Sequence, residues 1–424
     1  MDYDCVYGTR VHATMLEACL AEVSILELKP YHRRGTANSE RREVNAAIAE
    51  KLGAVAWDFA DAKTGNGPHA IHPYPAKFIP QIPRSLVKLF HPGDDSPILD
   101  PFCGSGTTLV EALYAGIPSI GIDVNPLATL IAKVKTTPIN GSVVEAASGV
   151  CRRARERVAL GHVEIPYIPR VDHWFEKPIQ EAVAALVTEI KVVTQDGIAD
   201  ALRVALSSII VRVSKQESDT RYAAIDKEVS QETVWTGFAR AAVAIGCGLA
   251  SIKNDLFADT PAVRIIAQDL MRLNPEEIGK GVGLVVTSPP YPNAYEYWLY
   301  HKYRMYWLGM DPVAVREREI GARPHYFKKN HQTEADFEQQ MGRCFKLLSQ
   351  VMRADALACF VVGRSIIHGR EIDNEALLER AAAPHGFRKV GSVQRNIAIH
   401  RKSFNLAHGT INREGIVVFA REAW

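Results

Sequence analysis

The stretch ILDPFCGSGTT, residues 98–108, decides the fold because it joins a short apolar strand to a helix through a glycine turn. Gly104 and Gly106 allow the backbone to approach a ligand closely, and the helix after them presents unpaired N–H groups to an anionic group. That helix, TTLVEALYAG, has threonines able to cap its start and Gly116 placed to end it. The next strand, IPSIGID, ends at Asp123, 17 residues after Gly106, close to where an acid binds ribose hydroxyls. The pattern predicts an α/β sheet that binds a nucleotide.

Two common nucleotide-binding motifs do not fit this turn. A nicotinamide-binding fingerprint, GxGxxG, would place a third glycine where Leu109 stands, and a phosphate loop would carry a lysine that is missing here. A glycine turn in some other α/β enzyme is the plain alternative. The full string DPFCGSGTT is more specific than a bare GxG, and it favours a dedicated cofactor site.

A second motif, VVTSPPY at residues 285–291, also ends an apolar strand. Pro289 and Pro290 fix φ and remove two N–H donors, so the Ser288 hydroxyl and the adjacent carbonyls form a rigid group of acceptors. Tyr291 adds a flat ring. Such a group suits the exocyclic amine of a nucleic-acid base, whose protons are accepted while its ring stacks on the tyrosine. Taken alone, SPPY is more often a plain turn at the end of a strand.

Composition places the chain among ordinary globular proteins. Its 424 residues are 47% hydrophobic and 23% charged, with a net charge of +2, which excludes disordered, collagen-like and coiled-coil chains. The nearly apolar stretch 241–252 is about half of a bilayer-spanning helix, and the acidic start MDYDCVYG lacks a signal-peptide pattern. The seven cysteines contain no CxxC pair, and His69 and His72 have no third ligand at metal-binding spacing. We therefore expect a soluble cytoplasmic protein that uses no metal.

Local patterns divide the chain into four parts. Residues 1–60 form an N-terminal extension whose polar stretch HRRGTANSERREVN predicts an exposed arm running into a helix, and residues 61–136 alternate strand and helix. Residues 137–261 predict helices such as IQEAVAALVTEIKVV and ALRVALSSIIVRV, with the run SKQESDTRY as a loop. In residues 262–424 the strands return as AVRIIAQD, GLVVTSPPY, ALACFVVG, NIAIH and EGIVVFAR. One α/β core is therefore split by a helical insertion.

Together, DPFCGSGTT, GIDVNP and TSPPY resemble the cofactor and catalytic motifs of the S-adenosylmethionine-dependent DNA amino-methyltransferases. HPYPAKFIPQIP, residues 72–83, resembles the segment that in this family closes over the methionine end of the cofactor. The resemblance implies a Rossmann-like class I methyltransferase sheet, S-adenosylmethionine as cofactor and double-stranded DNA as substrate. It also makes a cognate restriction enzyme a candidate partner.

The resemblance assigns roles residue by residue. The residues it implies for cofactor binding are Tyr74, Lys77, Phe78, Asp100, Pro101, Phe102, Gly104, Gly106, Thr107, Asp123, Val124, Asn125 and Asp269. The residues it implies for catalysis are Ser288, Pro289, Pro290 and Tyr291. Cys103 lies inside the cofactor turn, so it is badly placed to attack a cytosine ring, and transfer to an amine needs no covalent step.

The serine of TSPPY bears on the target base. In relatives that methylate adenine this position is usually Asp or Asn, whereas SPPY is typical of enzymes that methylate the N4 amine of cytosine. The order of cofactor motif, insertion and catalytic motif is associated more with adenine enzymes, so methylation of adenine N6 stays an alternative. Methylation of an exocyclic amine in RNA and a catalytically silent nucleic-acid-binding protein are the other two.

Two stretches are candidates for contact with DNA. Residues 384–413 hold six Lys or Arg and no acid, which favours phosphate contact by Arg395, Arg401 and Lys402, although a solvated basic loop is nearly as good an explanation. Residues 291–307 hold eight Tyr or Trp, of which we expect most to pack in the core and Tyr291 and Tyr295 to face the substrate. The insertion is balanced in charge, and it fits a target-recognition region, a helical lid or a dimer surface.

Overall fold

The computed structural model describes residues 37–255, 260–292, 295–327, 331–397 and 413–422. The chain divides into two compact units, Met1–Val44 and Asn45–Trp424. In the first unit the described residues are helical, so the predicted arm HRRGTANSERREVN is already helix from Ala37 onward. Its first residues lie outside the described ranges.

The first part of the α/β core agrees with the sequence patterns. Its elements are α1 (Ala37–Gly53), α2 (Gln81–Phe90), β1 (Ile98–Asp100), α3 (Thr107–Tyr114), β2 (Ser119–Asp123) and α4 (Pro126–Thr136). The threonines at the start of α3 do not cap it, because Gly106 occupies the N-cap position with φ 82°. The hydroxyl of Thr108 instead donates to the carbonyl of Val286, 3.3 Å away. The helix therefore starts at a glycine and is bonded to the strand of the second motif.

The helices between the two parts of the sheet build a core of their own. Their bounds are α5 (Val143–Ala159), α6 (Val171–Trp174), α7 (Lys177–Lys191), α8 (Asp196–Val213) and α9 (Gln231–Asp255). The run SKQESDTRY, expected to be a loop, contains a short antiparallel hairpin, β3 (Gln216–Ser218) and β4 (Arg221–Ala224). Its strands are three and four residues long, which is too short for a clear alternation of apolar and polar residues.

Within the described residues, one helix is long and apolar enough to cross a membrane by length and composition, Gln231–Ala250 in α9. Val234, Phe238 and Ile245 on this helix are fully buried, and they belong to the same hydrophobic core as α7 and α8. An apolar helix covered in this way by other helices is typical of the interior of a soluble protein. The packing of α9 is thus consistent with the expected soluble protein.

The strands return after the inserted helices. The remaining elements are β5 (Val263–Ala267), α10 (Pro275–Ile278), β6 (Val282–Thr287), α11 (Tyr297–Tyr300), α12 (Lys302–Trp307), α13 (Pro312–Arg318), α14 (Arg323–Phe327), α15 (Glu334–Val351), β7 (Met352–Gly363), β8 (Ser365–Ile367), β9 (Arg370–Ile372), α16 (Asn374–Ala382), β10 (Phe387–Asn396) and β11 (Arg413–Arg421). Of the strand predicted at NIAIH, residues 396–400, Asn396 is the last residue of β10. Residues 398–400 lie outside the described ranges.

Seven described strands form one sheet in the order β10-β11-β7-β6-β1-β2-β5. The strands from β7 to β5 are parallel to their neighbours, and β11 is antiparallel to both β7 and β10. Leu99 in β1 pairs with Ile120 on one side and Val285 on the other. This mostly parallel α/β sheet confirms the predicted Rossmann-like class. From β1 the chain first adds strands on one side and then crosses to β6 on the other, which is where such sheets bind ligands.

Both faces of the sheet are covered by helices. On β6, Leu284 and Val286 pack in the cluster that includes Ile82 and Leu86 of α2. Val285, which points the opposite way, packs in the cluster that includes Phe345 and Leu348 of α15. This alternation follows the two-residue period of a strand and explains why VGLVVT is apolar throughout. The sheet is therefore rigid where its strand ends meet the site.

Arg304 in α12 ties the inserted helices to the second part of the core. Its side chain is fully buried, and Nε donates to the Ser207 carbonyl of α8 at 2.9 Å. Its guanidinium is also paired with Asp219 of the β3–β4 hairpin and bonded to His301 Nδ1 at 3.1 Å. Removing one partner of a buried ion pair leaves the other polar groups without compensation. The contact therefore stabilises the attachment of the insertion.

We expect Arg304→Ala to lower the free energy of unfolding by about 3 kcal/mol, because it leaves a carboxylate and a carbonyl without their donor. Urea denaturation followed by circular dichroism would measure the loss. Arg152→Ala is the matched control, since Arg152 is exposed and pairs only with the exposed Glu156 at 3.4 Å. That control is expected to change stability by less than about 0.5 kcal/mol. Equal effects of the two substitutions would contradict the proposed role of Arg304.

Candidate functional site

The carboxyl ends of β1, β2, β5 and β6 surround a cavity of about 850 Å³, measured out to its open mouth. The residues predicted from the resemblance that line it are Tyr74, Lys77, Phe78, Pro101, Phe102, Gly104, Thr107, Asp123, Val124, Asn125, Asp269, Ser288 and Pro290. Gly104 and Ser288 therefore open onto the same cavity, although they come from distant parts of the chain. Asp100 and Gly106 lie behind this lining.

Asp100 joins the two motifs. It is 1% exposed, and its Oδ1 accepts a hydrogen bond from the Thr287 hydroxyl at 2.6 Å and one from the Phe102 N–H at 3.1 Å. Burial raises the pKa of Asp100 to about 6, against the lowering effect of these hydrogen bonds. Because Thr287 directly precedes Ser288, this bond fixes residues 288–291, predicted to be the catalytic turn, next to residues 103–106, predicted to be the cofactor turn.

The glycine turn is shaped by close packing and by one carboxylate. Gly104 and Gly106 have φ angles of 49° and 82°, which side chains other than glycine rarely adopt. A Cβ on Gly106 would lie 2.8 Å from the Cβ of Ala132 in α4, so the turn sits directly on that helix. The N–H of Gly104 donates to Asp123 Oδ2 at 2.9 Å. The carboxylate at the end of β2 thus holds the turn in place.

Asp123 and Asn125 mark the side of the cavity predicted to bind adenosine. Asp123 Oδ1 accepts from the Asn125 N–H at 2.8 Å, and burial raises the pKa of Asp123 to about 6. Asn125 caps α4 by accepting from the Leu127 N–H at 3.0 Å. Its buried Nδ2 has no hydrogen-bond partner among the described residues, and neither has Asp100 Oδ2. Of these two residues only Asn125 lines the cavity, and its unused Nδ2 together with the glycine turn fits a ligand of the size and polarity of S-adenosylmethionine.

We expect the affinity for S-adenosylmethionine to increase as the pH rises through about 6 and then to level off. The pKa of Asp123 is raised, so its carboxyl is protonated below about 6 and charged above that value. Only the charged form accepts hydrogen bonds from two ribose hydroxyls, so affinity should fall by up to about tenfold per pH unit below the pKa. Calorimetric titrations between pH 5 and 7 would measure this dependence.

Asp123→Asn should bind S-adenosylmethionine weakly and lose most of this pH dependence. Asp100 is a second acid with a pKa of about 6, and Asp100→Asn separates its contribution from that of Asp123. Asp94→Asn is the matched control, because hydrogen bonds to Ser96 lower the pKa of Asp94 to about 2 and keep it charged throughout. If the affinity of Asp123→Asn for S-adenosylmethionine still rises with pH as in the wild type, a group other than Asp123 causes the pH dependence.

The segment HPYPAKF covers one side of the cavity. Tyr74 lies over Gly104, with a ring carbon 3.6 Å from the position that a Cβ would occupy there. It stacks on Tyr297 at 5.8 Å between ring centroids and on His301 at 4.9 Å. Lys77 Nζ donates to the His69 carbonyl at 2.7 Å, and burial lowers the pKa of Lys77. The segment thus places an aromatic face and a lysine against the cofactor turn.

The catalytic turn is held from behind by Tyr291. Its hydroxyl lies 3.5 Å from Ser288 Oγ, 3.4 Å from the Val361 carbonyl of β7 and 3.5 Å from Glu414 Oε1 of β11. The cavity is lined by Ser288 and Pro290, whereas Pro289 and Tyr291 are absent from the described residues that line it. In this arrangement Tyr291 packs between the turn and the sheet. Stacking of Tyr291 on a base would require its ring to face the cavity. This stacking stays a prediction.

Arg395 was predicted to bind DNA, and the structure contradicts this. It is 4% exposed, pairs with Glu414 at 2.5 Å and donates to the Trp57 carbonyl at 3.0 Å. Since Glu414 also contacts the Tyr291 hydroxyl, Arg395 instead supports the catalytic turn. The rest of the basic stretch that is described is also largely neutralised, because Lys389 pairs with Glu375 and Glu379. The acids come from other elements.

The other candidates for DNA contact divide into two groups. Arg401 and Lys402 lie outside the described residues. Tyr295 is half-buried and stacks on Tyr297 with 5.5 Å between ring centroids, at the end of the ladder that continues to Tyr74. Three of the eight members of the aromatic run, Trp298, Tyr303 and Trp307, are buried in the core, and the other five are half-buried.

Several residues of the cavity were not predicted from the sequence. They are Ala76, Cys103, Ser105, Ile122, Gln268, Leu270, Tyr297, Arg318, Glu319 and Ile320. Glu319 is 6% exposed and accepts backbone N–H bonds from Tyr297 at 2.9 Å and Trp298 at 2.8 Å. Burial raises the pKa of Glu319 to about 8 despite these bonds. The only local signal is Gly321, whose positive φ lets the backbone of this segment approach the Tyr291 carbonyl.

Burial accounts for Cys103, and hydrogen bonds within the fold account for His69 and His72. Burial, together with Asp123 and Asp100, raises the pKa of Cys103 well above the usual range, which disfavours a nucleophilic thiolate. His69 Nε2 bonds Glu111 at 2.8 Å, and His72 Nε2 bonds the Ser207 hydroxyl at 2.9 Å. These three side chains are therefore structural.

The chain is similar to known methyltransferases. The family model described as DNA methylase, N6_N4_Mtase, matches residues 29–133. The type II methyltransferase M.MvaI of Kocuria varians is 28% identical over 249 residues, which cover 55% of this chain and 55% of that protein. The type II methyltransferase M.MjaII of Methanocaldococcus jannaschii is 48% identical over 93 residues, 20% of this chain and 17% of the relative. The chain thus spans about half or less of the length of these relatives.

Among solved structures, the rRNA methyltransferase aviRa from Streptomyces viridochromogenes aligns over 88% of this chain and 95% of its own, with 13% identity and a TM-score of 0.32. The segment matched by the family model contains the HPYPAKF segment, the glycine turn and Asp123, which form the cofactor side of the cavity. The family-model match and the relatives M.MvaI and M.MjaII confirm the predicted resemblance to the S-adenosylmethionine-dependent DNA amino-methyltransferases, with S-adenosylmethionine as the implied methyl donor.

Proposed function

We propose that the chain is a DNA methyltransferase that modifies the exocyclic N4 amine of cytosine in a base swung out of duplex DNA. The observation that carries the proposal is the shared cavity of Gly104 and Ser288, with Thr287 bonded to Asp100 behind it. An amine held at Ser288 then shares one cavity with the cofactor turn, and transfer between two groups bound in one cavity depends mainly on their correct positioning. The family match over residues 29–133 supports DNA as the substrate.

The residues of the chain act on the amine in this proposal. The Ser288 hydroxyl and the Pro289 carbonyl accept its two protons, which turns the nitrogen lone pair away from them and toward the cofactor side. When bound, S-adenosylmethionine supplies an electrophilic methyl group carried on a positively charged sulfur. Asp123 adds negative charge to the cavity, which favours the positive charge on the methylated nitrogen. With a pKa of about 8, Glu319 is mostly protonated near neutral pH, so the proton that this nitrogen must lose passes to solvent rather than to Glu319.

The preference for cytosine rests on the residue at 288. Serine there matches the N4 family pattern, whereas a serine hydroxyl accepts protons from adenine N6 equally well in chemical terms. The decisive experiment incubates the chain with labelled S-adenosylmethionine and duplex DNA or RNA, digests the product to nucleosides and identifies the modified one by mass spectrometry. N4-methylcytosine supports the proposal. N6-methyladenine, a labelled RNA nucleoside or the absence of any label would each overturn it.

The domain roles and the setting belong to the same proposal. We place the cofactor half at residues 61–136, the insertion at 137–261 as a target-recognition region and the catalytic half at 262–424. Relatives such as M.MvaI are named type II methyltransferases, which favours a cognate restriction enzyme as a partner. Cytoplasmic localisation follows from a DNA substrate and an intracellular methyl donor.

A further inference from the structure

Three cations from three separate elements lie together on the surface next to the cavity. Lys302 begins α12, Arg316 lies in α13, and Arg170 precedes α6 in the insertion. The Tyr303 hydroxyl donates to the Pro169 carbonyl at 3.1 Å, which fixes the backbone beside Arg170 against α12. Arg170 and Arg316 both contribute to a lowered pKa of Lys302, after burial as the main cause. The three charges are therefore close enough to repel one another.

Aromatic rings form the floor of this group, which we call the Arg170–Lys302–Arg316 surface. Lys302 Nζ lies 5.9 Å from the centroid of the Tyr222 ring and 5.8 Å from that of Tyr303. The Arg316 guanidinium lies 5.5 Å above the Trp298 ring. Contacts of this kind hold a cation at an exposed site without neutralising it, so its charge stays available to an anion.

Acids do little to balance these charges. Among the described residues, Arg170 and Lys302 have no carboxylate partner within ion-pair distance, and Arg316 meets only its neighbour Glu317 at 3.7 Å. Asp311 lies near Tyr306 at the edge of the surface. Lys389 and Arg395, by contrast, are both paired with carboxylates. Three like charges held together in this way favour an external polyanion.

The surface is connected to the cavity lining through Trp298. Trp298, which carries Arg316, donates its backbone N–H to Glu319 of the cavity lining. Arg318, two residues after Arg316, lines the cavity itself. Arg170 itself is exposed and has φ 58°, a left-handed conformation that is unfavourable for an arginine.

We propose that the Arg170–Lys302–Arg316 surface binds the phosphate backbone of duplex DNA beside the base that enters the cavity. This inference rests on the proposed function, and it gives the insertion, through Arg170, a direct part in DNA binding. Three adjacent cations with aromatic neighbours suit the negatively charged oxygens of phosphate groups. Such contacts position the duplex without reading its sequence.

Fluorescence anisotropy with a labelled DNA duplex, at several salt concentrations and with the full chain, tests this proposal. Each of Arg170→Ala, Lys302→Ala and Arg316→Ala is expected to reduce the slope of log K against log salt by about 0.9, and the triple variant by nearly three times as much. The loss should be similar for duplexes of different sequence. Calorimetry with S-adenosylmethionine should give unchanged affinity, which shows that each variant is folded.

Arg353→Ala is the matched control. Arg353 is partly exposed and paired with Asp355 at 2.7 Å, and it follows Met352, which pairs with Val282 at the start of β6. It therefore lies near the amino ends of the parallel strands, whereas Ser288 follows their carboxyl ends. Its substitution should leave the salt slope unchanged. If the wild-type chain methylates DNA and the three variants keep its salt slope, the surface assignment fails. If the wild-type chain modifies no DNA, the proposed function itself is wrong. If the variants change the salt slope only with RNA, the surface does not bind duplex DNA.

Discussion

Replacing Ser288 with alanine is expected to reduce the rate of methyl transfer about 10²- to 10³-fold while the Kd for S-adenosylmethionine changes less than about twofold. The hydroxyl of Ser288 lines the cavity, whereas the groups that hold the cofactor turn are Asp123 and the glycines. Removing one acceptor therefore harms the orientation of the amine and spares the cofactor. Transfer of a labelled methyl group to DNA, with calorimetry for cofactor binding, measures the two effects separately.

Two further variants define the interpretation of that result. Ser349→Ala removes a hydroxyl that bonds only the Lys346 carbonyl within α15, so it should leave the rate unchanged. Tyr291→Phe keeps the ring but loses the contacts with Val361 and Glu414, and we expect a loss of less than about tenfold. A normal rate in Ser288→Ala would remove Ser288 from the catalytic machinery. A loss of cofactor affinity in the same variant would assign it to the cofactor site.

Replacing Gly106 with alanine is expected to lower the affinity for S-adenosylmethionine at least about 100-fold and to destabilise the fold by about 2 to 4 kcal/mol. The added Cβ would lie 2.8 Å from the Ala132 Cβ and 3.1 Å from its Cα, which is backbone and cannot turn aside. The residue also needs φ 82°. The turn must therefore move away from α4, and the N–H groups that face the cofactor move with it.

Gly116→Ala is the control for strain alone. Gly116 has φ 73°, but an added Cβ would meet no atom within 4 Å. It should cost about 1 kcal/mol of stability and leave cofactor affinity unchanged. Urea denaturation and calorimetry on both variants make the comparison. Equal behaviour of the two substitutions would mean that close packing on Ala132 does not shape the site.

The cofactor half of the site was predictable because its residues follow strands in short, contiguous motifs. DPFCGSGTT and GIDVNP each carry a strand end, a turn and a helix start, and local geometry brings their side chains to one edge of the sheet. The predicted DNA contact of Arg395 was wrong for a reason no local pattern reveals. Its neutralising acid, Glu414, sits opposite it in the antiparallel register of β10 and β11.

Glu319 and the Arg170–Lys302–Arg316 surface depend on the same kind of long-range packing. Glu319 lines the cavity because α11 presents two N–H groups to it. Neither α11 nor α13, which Glu319 directly follows, is marked by a sequence motif. The hairpin β3–β4 was missed because its strands are too short to show alternation. The division of one α/β core by a helical insertion, by contrast, was predicted from the apolar strands on either side of it.

The hydrogen bond between Asp100 and Thr287 joins residues 187 positions apart, and this has a consequence for synthesis. At about 5 to 20 residues per second, a ribosome needs roughly 10 to 40 s to reach the second partner after making the first. During that time β1 has no neighbour on the side where β6 will pair. The nascent chain must keep this apolar edge from other chains until the second half emerges, so productive folding should depend on translation speed and on chaperones.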